Sequence, residues 1–270
     1  MYKKPFAIPF IGWILIGTIV PGLVIAFYGF TDRSGAFTMD NVTSILAPEH
    51  AKALWMSLLL AFISSLICLI ISLPLALILR NSKLSSKGFL VFIFILPMWM
   101  NFLLRTMAWQ VLLERGGLIN SFFENIGMPQ LQIINTPVAV VLGMVYDYLP
   151  FMILPIYNSM IKIENAVIEA AYDLGATKAK VFKDIILPLS VPGIASGITM
   201  VFVPALTTFA MSNMLGGGKI YLIGNIIEQE FTTTSNWNLG SGLSLVMMVF
   251  ILITMELMSR LDKDGDGALI

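Results

Sequence analysis

The chain has 270 residues and no net formal charge; 57% of its positions are hydrophobic and only 12% are charged. A soluble domain carries about 25% charged residues, so this balance excludes an ordinary water-soluble globular protein, and zero net charge gives no general attraction to nucleic acid. Cys68 is the only cysteine and His50 the only histidine, which excludes a disulfide within the chain and argues against a His-based metal site.

The apolar positions fall in runs of about 20 residues or more, the length at which a helix crosses a bilayer. Inside hydrocarbon the backbone must satisfy its own hydrogen bonds, so the pattern predicts an all-α integral membrane protein with six transmembrane helices. The first span covers 8–30 and follows Lys3 and Lys4. Its length exceeds that of a signal-peptide core, and Phe27 and Tyr28 are bulky where cleavage wants small residues, so it reads as a retained anchor. The second span, 54–79, carries Pro74 near its end and leads into a short loop with Arg80, Lys83 and Lys87. The third, 89–113, contains Pro97 and Arg105; turns at Gly116-Gly117 and Met128-Pro129 mark the loop after it. The fourth span is 138–161, followed by a loop at 162–188; the fifth is 189–215, with Pro192 and Pro204; the sixth is 241–259. Residues 1–261 form one transmembrane unit, and 262–270 read as a disordered tail.

Six spans put both termini on one side of the membrane. Eleven of the sixteen Lys and Arg lie on that side, together with the 162–188 loop, against Arg33, Lys52, Arg115 and Lys219 opposite. The positive-inside rule therefore places both termini and this loop in the cytoplasm.

The 162–188 loop does not read as a flexible connection. Val167, Ile168, Ala171 and Leu174 recur at helical spacing, Gly175 interrupts, and a second short helix follows over about 178–186 until Pro188 stops it. Lys162, Lys178, Lys180 and Lys183 are balanced by Glu164, Glu169, Asp173 and Asp184, whereas a helix lying on lipid usually carries a positive excess. Lys178 and Lys180 also sit near a helix start, where the macrodipole disfavours cations. Topology or an acidic partner surface accounts for them better than helix stability does.

The run Glu169-Ala170-Ala171, three residues, Gly175, nine residues, Ile185, one residue, Leu187-Pro188 resembles the EAA loop of the permease subunits of binding-protein-dependent ABC importers. Leu149-Pro150-Phe151-Met152, Val203-Pro204-Ala205, Leu215-Gly216-Gly217-Gly218-Lys219, Leu222-Ile223-Gly224-Asn225 and Asn236-Trp237 are similar to the spermidine/putrescine branch of that family. The resemblance implies the type I importer permease fold, with Glu169, Ala170, Ala171, Gly175, Ile185, Leu187 and Pro188 in a cytoplasmic coupling helix that docks on an ATPase. It implies a second homologous permease, two ATPase subunits that use ATP and Mg, and an extracytoplasmic binding protein, around a multi-pass protein of the inner membrane. It also implies that this chain moves polyamines by alternating access and catalyses nothing itself. Permeases for iron, an organophosphonate or another small solute share parts of the pattern, and a secondary transporter is the rival from another class.

The residues agree on the division of labour. A nucleotide loop needs Gly, four residues, then Gly-Lys and Ser or Thr; here Asn213 stands at the first position and Ile220 follows Lys219. The chain is thus expected to bind no cofactor of its own. Asp262, Asp264, Asp266 and Gly267 imitate the start of a calcium loop, but the chain ends at Ile270, before the later ligands.

Asp147, between Tyr146 and Tyr148 in the fourth span, is costly in a membrane and a candidate contact for an ammonium group; a structural pairing with Arg105, or a place in the outer water-filled vestibule, is the alternative. Glu228 and Glu230 on the outer side are further candidates for the cargo path, to meet a cationic substrate or its carrier protein, against a solvated face. Glu256 and Arg260, four residues apart near the cytoplasmic end of the sixth span, read as an interfacial pair.

Overall fold

The structure is a computed structural model that describes residues 12–81, 94 and 96–267, with side chains described up to Arg260. Among these residues it is helical, with no strand and one isolated bridge between Thr31 and Phe37. Among the described residues four helices are long and apolar enough to cross a membrane: α1 (Gly12–Gly29), α2 (Pro48–Asn81), α5 (Pro137–Met160) and α11, whose spanning part is Trp237–Arg260. Between them lie α3 (Phe102–Leu113), α4 (Leu118–Asn125), α6 (Asn165–Asp173), α7 (Lys178–Leu189), α8 (Val191–Thr207), α9 (Ala210–Leu215) and α10 (Ile223–Thr232). The pair α7 and α8 together has the length and hydropathy of a fifth span, bent by 64°.

Two expected spans are not single helices. Part of the third, 89–93 and 95, lies outside the described residues; the remainder is a 3₁₀ turn at Leu96–Trp99, a break, and then α3. The Asn101 side chain caps the new start, accepting from the Leu103 N–H at 2.9 Å and the Leu104 N–H at 3.4 Å. The fifth, expected over 189–215, ends at Thr208, whose ψ of 143° is extended, and restarts as α9. The last helix runs on to Gly267, through part of the stretch expected to be a disordered tail; 268–270 lie outside the described residues.

Close helix approach explains the core. Ala53, Ser57, Ala61, Ser64, Cys68, Ser72 and Ala76 form a buried stripe along α2 at spacings of three and four residues. Without a hydrophobic force between helices in lipid, such small side chains let backbones come near enough for dispersion to hold them. Opposite, a Cβ on Gly193 of α8 would sit 2.6 Å from the Pro155 carbonyl, and one on Gly197 would sit 2.8 Å from Met152 Sδ, so α8 closes on α5 at these two glycines. The result is a packed trio of α2, α5 and α8 with two apolar clusters. One gathers Leu60, Met144, Leu206, Met211 and Ile223 at one end; the other gathers Cys68, Leu79, Ile153, Met160, Val181 and Ile186 at the end that carries α7. Helix α1 leans instead on α11, held at its end by Asn41 and Asn238, whose side-chain amides both donate to the Thr31 carbonyl, at 2.8 and 2.7 Å.

The break after α8 is tied by Asn225, which is 4% exposed. Its Oδ1 accepts from Ser212 Oγ at 2.6 Å and the Leu222 N–H at 2.9 Å; its Nδ2 donates to the Phe209 carbonyl at 3.1 Å and Asn213 Oδ1 at 2.7 Å. Ser57 of α2 accepts from the Ile223 N–H at 2.9 Å, stitching the same turn to the trio. Replacing Asn225 by Leu strands several buried polar groups at about 1–3 kcal/mol each. Asn225→Leu is therefore expected to lower the melting temperature of the purified protein in detergent clearly more than Asn238→Leu at the half-buried start of α11.

Candidate functional site

The candidate site is the helix–turn–helix of α6 and α7. Helix α6 ends in a Schellman motif: the Ala176 N–H donates to the Ala171 carbonyl at 3.0 Å and the Gly175 N–H to that of Tyr172 at 2.9 Å. The motif needs a left-handed residue, and Gly175 has φ of 79°. A Cβ there would meet nothing within 4 Å, so the glycine is required by its backbone angle and not by space inside the chain. Thr177 then caps α7, its side chain accepting from the Lys180 N–H at 3.3 Å. Sequence reasoning passed over this cap, although a Thr one residue before a helix is the usual signal.

Helix α7 does not stop at Pro188. It contains a π turn, Phe182–Ile186, and continues through the proline to Leu189. The wide turn ahead of Pro188 changes the hydrogen-bond register where the ring lacks an N–H and would crowd the preceding carbonyl. The chain instead bends by 64° into α8.

The unit has two faces. Val181 and Ile186 are buried in the cluster with Leu79 and Met160, and Ile168, Ala171, Ala176, Phe182 and Ile185 pack around them. Outward lie Glu169, Ala170, Val167, Tyr172 and Leu174. Leu174, on the apolar stripe read from the sequence, lies at the C-cap of α6, beyond the last helical turn, and is 89% exposed; Val167 of the same stripe is exposed as well. A hollow of about 250 Å³ lies beside it, lined by Ala171, Gly175, Lys180, Asp184 and Ile185. Of the motif residues, Ile185 and Leu187 are half-buried, Pro188 is exposed, and Glu169, Ala170 and Gly175 face out. An exposed leucine, valine and tyrosine beside such a hollow make a surface suited to a protein partner.

The candidates for the cargo path are dispersed. Asp147 is 3% exposed and its Oδ1 lies 3.3 Å from Nε of Arg105, itself 7% exposed. The pair lacks hydrogen-bond geometry, and Nη1 of Arg105 has no hydrogen-bond partner. The aromatic neighbours do not cage the carboxylate, because consecutive helical positions point about 100° apart. The Tyr146 ring sits edge-on to Trp109 at 5.3 Å, while the Tyr148 hydroxyl donates to the Pro204 carbonyl at 3.4 Å. Glu228 accepts from Thr232 at 3.2 Å and lines a cavity of about 490 Å³ with Phe209, Phe231, Met247 and Met248. Glu230 accepts from Thr234 at 2.7 Å. Glu256 and Arg260 pair at 3.0 Å, as their spacing predicts, and both side chains are exposed. Among the described residues no three His, Cys, Asp or Glu side chains gather as a metal site; the side chains of Asp262, Asp264 and Asp266 lie outside the description.

Removing one member of a buried ion pair costs about 3–5 kcal/mol, because the other charge is left uncompensated. Asp147→Asn is thus expected to lower thermal stability strongly, and adding Arg105→Met to restore most of it. Uptake that returns with stability assigns the pair to structure; stability without uptake assigns Asp147 to the cargo.

The family described as binding-protein-dependent transport system inner membrane component matches residues 72–264. The chain is 35% identical over 259 residues to the spermidine/putrescine transport system permease protein PotB of Haemophilus influenzae, covering 93% of this chain and 91% of that one. It is 36% identical over 247 residues to PotB of Escherichia coli, covering 88% and 90%. A solved bacterial alginate ABC transporter, in complex with an alginate pentasaccharide-bound periplasmic protein, holds a chain of the same fold with a TM-score of 0.81 at 16% identity, covering 97% of this chain and 93% of that one.

Proposed function

The chain belongs to the family of inner membrane components of binding-protein-dependent transport systems, and from that membership we propose that it is one permease of an ATP-driven importer for polyamines. The observation that carries the cargo is identity to spermidine/putrescine permeases over about nine-tenths of the chain. The chain itself performs no catalysis. ATP and Mg belong to two ATPase subunits, a second homologous permease completes the passage, and an extracytoplasmic binding protein delivers the cation.

In this reading residues 1–261 are the transmembrane unit, with both termini and the α6–α7 unit in the cytoplasm. Glu169, Ala170, Ala171 and Gly175 meet the ATPase, with the exposed Leu174 beside them, while Ile185, Leu187 and Pro188 set how α7 joins the membrane. Support comes from the geometry: an outward surface on a unit whose inner face is built into the α2–α5 core. ATP binding draws the two docking units together, and the packed spans behind them alternate the passage between its two openings.

A polyamine needs negative charge along its way, since an uncompensated cation in hydrocarbon is costly. We place Glu228 and Glu230 at the outer approach; no Lys or Arg lies between Lys219 and Arg260 to oppose them. Asp147 is the deeper candidate, and an ammonium reaches its carboxylate only by taking the place of Arg105.

The test is ATP-dependent uptake of labelled spermidine and putrescine in cells that lack other polyamine importers and express this chain with its three partner proteins. Uptake is expected, and Gly175→Asp is expected to abolish it while leaving membrane insertion intact. Absence of uptake by the assembled importer would turn the cargo to iron, an organophosphonate or another solute. Uptake that persists without ATP would favour a secondary transporter. Gly175→Ala isolates the backbone term: a left-handed alanine costs about 1–2 kcal/mol, so amide exchange at 175–177 should quicken, and less in Gly175→Asn, which tolerates that angle.

A further inference from the structure

Arg80 stands at the C-terminal end of α2 and reaches across to two other elements. Its Nε donates to the carbonyl of Met160, the last residue of α5, at 2.9 Å. Its Nη2 donates to the Ile163 carbonyl at 2.9 Å and to Oδ1 of Asn165, the first residue of α6, at 3.1 Å. One guanidinium thus answers a carbonyl left over at the end of α5, spans the turn at 161–164, and holds the first residue of the docking unit. The planar fork suits this arrangement: Nε and one Nη present parallel N–H groups to the two carbonyls, and the second N–H of that Nη reaches Asn165. Cation and helix dipole agree at the α5 terminus.

The far end of the unit is held separately. Ser159 of α5 donates to the Leu189 carbonyl at 3.3 Å, where α7 gives way to α8. The middle is held by Val181 and Ile186, which pack with Leu79 and Met160. Apolar packing of this kind ties α7 to the trio but leaves α6 with no fully buried residue. The polar link from α2 to the start of α6 is made by Arg80.

We propose that Arg80 is a positioning residue for transport: it fixes α6 to α2 and α5, so that displacement of the docking unit by the ATPase obliges α2 to move. The proposal rests on the docking role assigned to α6 and α7. Without the link, α6 tilts on the 161–164 turn, and part of the ATPase stroke is spent there instead of on the spans.

The test uses the whole importer, reconstituted in liposomes with its binding protein, and reads spermidine taken up per ATP hydrolysed. Arg80→Gln and Asn165→Leu are expected to assemble and hydrolyse ATP, with uptake per ATP falling about tenfold, within the usual range of a coupling between sites. Arg80→Lys, which keeps the charge but not the fork, should fall between these and the wild type. An unchanged ratio in Arg80→Gln, or uptake and hydrolysis falling in proportion, overturns the proposal. Should Arg80→Gln fail to assemble, Asn165→Leu decides by the same ratio, because it keeps the guanidinium and its bonds to α5. Gly175→Asp and the wild type run alongside: normal uptake by Gly175→Asp would sink the docking role itself, and no uptake by the wild type would sink the cargo, each separately from Arg80.

Discussion

Close approach of α2, α5 and α8 is the constraint on which the rest of this protein depends. In a bilayer the lipid tails are as apolar as leucine, so helices gain little by hiding apolar surface and hold together through contact distance instead. The small residues of α2 and the glycines of α8 provide that distance. Larger side chains at these positions would separate the helices and weaken every contact between them. Both apolar clusters straddle the trio, and one of them extends without interruption into α7.

The α6–α7 unit inherits its rigidity from this arrangement. A short helix pair is marginal on its own in water, yet α7 places Val181 and Ile186 in the same cluster as Leu79 and Met160. The Schellman turn at Gly175 and the cap at Thr177 then fix how α6 folds back. What remains outside is a surface of charged residues with Val167, Tyr172 and Leu174 among them. The unit is therefore built into the helical core on one face and exposed on the other, the geometry that the proposed docking role requires.

The α6–α7 helix–turn–helix and the helical class were legible because both depend on local chemistry: long apolar runs, helical spacing in the loop, a glycine at its turn. The breaks at Asn101 and Thr208 were harder to read. The apolar runs continue across them, and what stabilises the breaks is polar and partly distant, above all the Asn225 network reaching back from α10. Pro188 misled for a related reason, since a preceding π turn allows a helix to pass a proline and periodicity does not reveal it. Asp147 was visible as an anomaly, and pairing with Arg105 was one of its three readings; that pairing depends on α3 and α5 lying together, which no spacing along the chain encodes. Arg80 looked like one more cytoplasmic charge. Its role emerges only when α2 and α5 end at the same level.

The central claim is that the docking unit and the spans behind it move as one body. Spin labels on Lys183→Cys in α7 and Lys52→Cys at the opposite end of α2, in a Cys68→Ser background, measure it directly by their separation within one chain of the assembled importer. The account predicts a narrow distance distribution that is the same without nucleotide and with ATP trapped, while labels on the two permeases shift relative to each other. A separation within the chain that changes on ATP binding would contradict it, because the unit would then hinge against the spans instead of carrying them.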